Sequence, residues 1–396
     1  MKKFRKNQGI TLIALVVTLI VLLILAALAI NLTIGDNGIL TRGQEAKNKT
    51  EQASEDELRK LTQLEAATHF EDYEYIDNST GEEKTVTIPA ECAVSQVEGE
   101  NTLENGLVII DASGNEWVWI EVPKSEMPEG LTFAEEADYT TLEVALQTYV
   151  SDYRQGNCRD IWYSEEQHGF LNKNEYEELK NKMLKSIYDN AGFFIGRYET
   201  GTRMQRTSSE DIESEAIIQK NVYPYNYITC KQAQELSEGL AVEGKTSSLL
   251  FGIQGDLVLK YIENNSSITK SEIISDSTSW GNYKNSQFDV SKGKYTLTPD
   301  VANSWLEIQS GYLKESNVSA LFTTGVTERN KIQNIYDFAG NVWEWTLEYA
   351  AASFSPCAFR GGGYNSNGNE NSAKKRLGTN VNDAGLVGFR TCLYWW

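Results

Sequence analysis

The chain has 396 residues, 23% charged and 40% apolar, which suits two or three domains and excludes a disordered or collagen-like class. With 36 basic against 56 acidic side chains the net charge is −20, and a surface this acidic repels a phosphate backbone, so no nucleic acid is expected as a partner. The 2 histidines and 5 scattered cysteines, with no CxxC, exclude a zinc ribbon, a thioredoxin-type site and a disulfide framework.

The first nine residues run against the acidic trend, because Lys2, Lys3, Arg5 and Lys6 are all basic. Residues 10–30 then form an apolar run interrupted only by Thr11 and Thr18. As a helix this run is about 30 Å long, the thickness of a bilayer core. It predicts a single-pass transmembrane helix at a bacterial cell membrane, with the basic cluster inside and the C-terminal domain extracellular.

The junction Lys6-Asn7-Gln8-Gly9 followed by Ile10-Thr11-Leu12-Ile13-Ala14-Leu15 resembles the leader and mature start of type IV pilins. The resemblance implies a leader over residues 1–9 and a pilin helix over 10–34. It also implies cleavage by a prepilin peptidase between Gly9 and Ile10, methylation of Ile10, and other pilin-like subunits as partners. The chain departs from the family at Ala14, where most pilins carry the glutamate that pairs with a neighbouring subunit, and this argues against bulk fibre formation.

Gly35-Asp36-Asn37-Gly38 marks a turn or kink. Residues 35–75 then read as an amphipathic helix or stalk, with Ala46, Ala53, Leu58, Leu61 and Leu64 on a narrow apolar stripe. Residues 76–104 read as a linker. In the body that follows, residues 107–110 and 117–122 read as short strands around an Asp111–Asn115 turn. Residues 172–189 and 229–238 read as helices opened by capping boxes, Asn172 with Glu175 and Thr229 with Gln232. The fold class expected is α+β, a transmembrane helix followed by a globular domain over residues 105–396.

Near the C-terminus stand Asn334-Ile335-Tyr336-Asp337-Phe338-Ala339-Gly340-Asn341-Val342-Trp343-Glu344-Trp345-Thr346, then Arg360-Gly361-Gly362-Gly363-Tyr364 and Gly388-Phe389-Arg390. Upstream lies Gly192-Phe193-Phe194-Ile195-Gly196-Arg197-Tyr198-Glu199. Together these resemble the sulfatase-modifying domains of the formylglycine-generating-enzyme type, and they imply a C-type-lectin-like fold over residues 105–396. The residues themselves suggest structural roles: Trp343 and Trp345 facing a core, Arg360 and Arg390 as forked donors to loop carbonyls.

Enzymes of that family use a copper-binding cysteine pair between the glycine-rich strand and the closing Gly-Phe-Arg. Residues 364–387 contain no cysteine, so no copper and no oxidase activity are expected. Cys357 and Cys392 lie outside the interval and read as core residues or as partners in a disulfide. The family resemblance also implies a Ca2+ site from the Asp337 and Glu344 side chains with the Gly340 and Val342 carbonyls.

Residues 364–382 are rich in asparagine and serine, side chains suited to adaptable hydrogen bonding at a contact surface. They resemble the loops of lectin-fold proteins diversified by retroelements, and Tyr364, Asn365, Asn367, Asn369, Asn371, Lys375, Asn380 and Asn382 are the candidate ligand-binding residues. The function expected is that of a pilin-like surface protein, a minor or tip pilin or a pseudopilin, displaying a non-catalytic lectin-like head for ligand binding or adhesion. The alternatives are a structural subunit of a pilus or secretion system without its own ligand, and a formylglycine-type oxidase.

Overall fold

Along the strand Glu116–Glu121, Val118 and Ile120 enter one apolar cluster while Trp117 and Trp119 enter another. The same alternation continues in Gly192–Gly196, where Phe193 and Ile195 face one way and Phe194 the other. This is the period-two pattern of strands covered on both faces. Both strands belong to a six-stranded antiparallel sheet, ordered Cys92–Val94, Val108–Asp111, Glu116–Glu121, Gly192–Gly196, Thr391–Tyr394 and Thr246–Leu249. Cys92–Val94, within the stretch read as a linker, is therefore the outer strand of the main sheet.

The computed structural model describes residues 39–66, 73–76, 83–154, 157–165, 170–210, 215–351, 355–380 and 387–395. The chain divides into two units, Met1–Leu58 and Arg59–Trp396. In the first, the described residues form the beginning of the helix Ile39–Ala66, and the side chains of residues 46–57 are exposed.

In the second unit the helices Glu136–Tyr149, Lys173–Asn190, Cys230–Glu238 and Gly252–Asn265 contribute buried residues to the larger core, with Val118, Ile120, Phe193 and Ile195. Both expected capping boxes form: Asn172 Oδ1 accepts from Glu175 N at 3.0 Å, and Thr229 Oγ1 accepts from Gln232 N at 3.3 Å. The helix Gly252–Asn265 follows Phe251, which has no side-chain oxygen, and Asp160 takes over the capping role. Its carboxylate accepts from Gly252 N at 2.6 Å and Ile253 N at 2.9 Å.

A four-stranded sheet is ordered Arg376–Thr379, Cys357–Arg360, Trp343–Tyr349 and Val387–Phe389, with only the last pair parallel. A smaller set of strands between residues 288 and 322 closes around its own core of Phe288, Val290, Ile308, Ala320 and Phe322.

The amphipathic stripe is corrected. Leu61 and Leu64 are exposed, whereas Thr62 and Ala66 are buried. Charge selects the buried face: Arg59 reaches Glu116 Oε2 at 2.6 Å and also pairs with Glu100, and Arg197 binds both carboxylates again. Gln63 Nε2 adds a bond to Ala112 O at 3.0 Å.

The fold class and location are corrected as well. The protein has mixed α and β structure, mostly sheet, and among the described residues no helix is long and apolar enough to cross a membrane. The longest of them, Ile39–Ala66, carries charges along its length, which hydrocarbon does not tolerate. The expected transmembrane pilin helix and the single-pass placement with an extracellular C-terminal domain have no counterpart among these helices. The run at residues 10–30, with Gly9 and Ile10, lies outside the described residues.

Candidate functional site

Asn341 stitches the site together. It lies in the left-handed region at φ 58°, and its backbone N–H donates to Asn282 O at 2.8 Å. Its Nδ2 donates to Glu199 Oε2 at 2.6 Å, while its Oδ1 accepts from Asn282 Nδ2 at 3.0 Å and from Phe322 N at 3.2 Å. Its carbonyl accepts from Tyr364 N at 2.8 Å, so one asparagine fixes where the polar loop begins. Just before it, Gly340 (φ 79°) has no room for a side chain, since a Cβ there would sit 2.3 Å from Asn282 O.

Of the residues implied for calcium, the two carboxylates are taken up by N–H donors. Asp337 Oδ1 accepts from Asn330 Nδ2 at 3.0 Å and Oδ2 from Gly325 N at 2.9 Å. Glu344 Oε1 accepts from Arg390 Nε at 2.9 Å, with Nη2 of the same guanidinium 2.8 Å away. Val342 donates its N–H to Glu199 Oε1 at 2.9 Å. Calcium asks for six to eight oxygens, and a cation here would face the Arg390 guanidinium, so the set as folded does not fit Ca2+. Among the described residues no group of three or more His, Cys, Asp or Glu could hold a metal ion. Burial pushes the carboxyls of Glu199, Asp337 and Glu344 upward, and for Glu199 the neighbouring Asp337 and Glu344 charges add to it.

Arg390 acts as the forked donor read from the sequence, giving Nη1 to Gly196 O and Nη2 to Tyr336 O, both at 2.9 Å. Arg360 donates Nη1 to Gly252 O at 3.3 Å and faces Asp256.

The asparagine-rich loop is a built shelf. Gly368 N donates to Asn285 Oδ1 at 2.9 Å, Ser366 O accepts from Lys284 N at 2.8 Å, and Ala373 N donates to Ser277 Oγ at 3.0 Å. Gly368, Ser372 and Ala373 are buried beneath it, while Asn365, Asn369 and Asn380 are exposed and Asn367, Asn371 and Lys375 half-buried. Asn382 lies outside the described residues.

Tyr364 is buried, and it packs with Leu321, Val342 and Trp305. Burial, then the nearby Tyr227 and Asp300, push its hydroxyl pKa upward. Trp305 meets Tyr223 edge-on, with ring centroids 4.9 Å apart. Tyr223, Tyr227 and Trp305 are half-buried, so rings stand at the surface beside the head of the loop. Arg206 holds this turn, stacking on Tyr225 at 4.5 Å and donating to Asn226 O at 3.2 Å and Tyr227 O at 3.1 Å, where Tyr227 takes φ 52°. Exposed Met204, Leu297, Val301 and Leu306 lie in the neighbouring segments, and Gln205 joins the first to the third by donating to Val301 O at 2.7 Å.

No family model and no curated protein matches the chain. A solved structure described as Treponema denticola variable protein 1 is 13% identical, with alignment over 82% of this chain and 99% of that one. Its TM-score is 0.22, and so slight a likeness carries no argument.

The sequence reading passed over Tyr223, Tyr227 and Trp305. The run Tyr223-Pro224-Tyr225-Asn226-Tyr227, an aromatic turn centred on a proline and an asparagine, is the signal that points to them. Nothing local shows that Tyr227 of this turn comes near Tyr364. The cysteines read as partners are apart as well: Cys392 donates to Ser248 O at 3.3 Å and approaches Gln254 Oε1 at 3.4 Å, whereas Cys357 touches Cys230.

Proposed function

We propose that the protein is a non-catalytic ligand-binding module whose contact face joins the loop around residues 364–371 to Tyr223, Tyr227 and Trp305. The observation that supports this reading is the pairing of exposed amides on a fixed shelf with half-buried rings beside it. Amides give directional hydrogen bonds, and the rings give wide contact area at low entropic cost because each has only two side-chain torsions. Exposed aliphatic side chains next to the rings extend the face beyond what a plain polar loop presents. The ligand such a face selects carries both apolar surface and hydrogen-bonding groups.

The test uses the full chain on an array of immobilised peptides and glycans. Wild type is expected to hold at least one feature, and Asn365→Ala/Asn367→Ala/Asn369→Ala to lose it by about tenfold or more while melting as wild type does. Equal retention by the triple variant, or an array on which wild type holds nothing, would overturn the proposal.

A further inference from the structure

Cys230 opens the helix Cys230–Glu238, and Cys357 opens the strand Cys357–Arg360, where it lies opposite Tyr349 in the antiparallel ladder. Both side chains are fully buried in the larger core, and the two thiols are in hydrogen-bond contact. The contact is held from outside the pair: Trp345, which pairs with Phe359 in the adjoining strand, donates Nε1 to Ile228 O at 2.9 Å, just ahead of Cys230. The remaining thiols sit elsewhere. Cys92 lies in the core on the opposite face of the main sheet, Cys158 packs with Ala350 and Ala358, and Cys392 is bonded to Ser248.

We propose that Cys230 and Cys357 are a dithiol that closes to a disulfide when the chain folds in an oxidising medium. Two S–H bonds break and one S–S bond forms. The two electrons and two protons pass to a small disulfide oxidant such as glutathione disulfide, which leaves as two thiols after a mixed-disulfide intermediate. Because both sulfurs are closed off from solvent in the folded protein, the bond forms during folding rather than after it. Its effect is to tie the turn bearing Tyr227 to the strand that leads into Tyr364, closing the loop of chain between the two cysteines.

The experiment refolds the full chain from guanidinium in a buffer of reduced and oxidised glutathione, then denatures it and alkylates every free thiol. With 5 cysteines in the chain, the expected result is 5 − 2 = 3 alkylated thiols. Before alkylation, a mass about 2 Da below that of the reduced chain, and afterwards a crosslinked peptide containing Cys230 and Cys357, complete it. In Cys230→Ser the crosslink should vanish and Cys357 should become alkylated, and Cys357→Ala tests the pair from the other side. Five alkylated thiols in refolded wild type, or a crosslink that joins another cysteine, would overturn the assignment.

Discussion

Glu344 and Arg390 face each other across the one parallel pairing of the four-stranded sheet, Oε1 of the glutamate taking both Nε and Nη2 of the arginine at 2.9 and 2.8 Å. Both side chains are nearly or wholly buried, so the pair cannot be replaced by water. The same guanidinium binds Gly196 O in the six-stranded sheet and Tyr336 O in the segment before the site. It therefore joins three parts of the fold that meet only in space.

Removing one partner of a buried pair strands the other. Arg390→Met should destabilise the protein by about 3–5 kcal/mol. Adding Glu344→Gln should recover about 1 kcal/mol or more, since a neutral amide replaces the stranded charge. Urea melts check both, and a loss below about 1 kcal/mol for the single variant would refute the account.

Acid should loosen the clamp at Arg59. Burial alone would raise the Glu100 pKa, but Arg197 and Arg59 outweigh it and lower the value from 4.5 to about 2. A folded pKa below the unfolded one stabilises the fold above pH 4.5, and that contribution disappears as pH falls towards 2. Stability of wild type should therefore drop more steeply than that of Glu100→Gln between these limits. Parallel curves in chemical melts at stepped pH would show that the clamp does not hold the helix end.

Lys314 should give a slope of the same sign at the alkaline end of the range. Its ammonium is buried against carbonyls, Tyr283 O and Ser286 O at 2.7 Å and Lys284 O at 3.3 Å, with the Phe288 ring 5.7 Å away. Burial, then the nearby Arg329, lowers its pKa from 10.5 to about 8. Between these values the unfolded chain holds the proton that the folded chain has lost, so stability rises with pH by up to about 1.4 kcal/mol per unit. Lys314→Met should remove that rise, which is read as the difference between the two stability curves from pH 7 to 10. A difference that stays flat would contradict the assignment.

Gly255 stands inside a helix, where alanine ordinarily gains about 1 kcal/mol. Here a Cβ would lie 1.7 Å from Arg360 Nη1, and that guanidinium is closed in beside Asp256, Glu348 and Arg376. Gly255→Ala should cost about 2 kcal/mol or more. Gly239→Ala, whose new Cβ would meet nothing closer than 3.4 Å, should be neutral or slightly stabilising. Equal melting temperatures for the two variants would count against the packing argument.

Capping was legible in the sequence because its partners lie three residues apart: Asn172 with Glu175 and Thr229 with Gln232 both close as read. The strand pair around the Asp111–Asn115 turn was legible for the same reason, the residues after the turn pairing straight back in Val108↔Val118 and Ile110↔Glu116. The stripe of Ala46, Ala53, Leu58, Leu61 and Leu64 misled, because periodicity records where apolar residues fall and not which face finds a partner. For Arg59 the partners are Glu100, Glu116 and Arg197, and their separation in sequence hides them.

By itself, then, the amino-acid order determined those elements whose hydrogen bonds and ring alternation are satisfied within a few residues, along with the acidic balance and the polar character of the loop after Gly363. Only tertiary structure decided that Asp160 caps a helix beginning at Gly252, that Cys357 meets Cys230 rather than Cys392, and that Trp305 and Tyr227 come near Tyr364. The reason is that buried charges, thiols and rings are satisfied by whatever the folded chain brings beside them, and that neighbour is set by packing rather than by spacing along the chain.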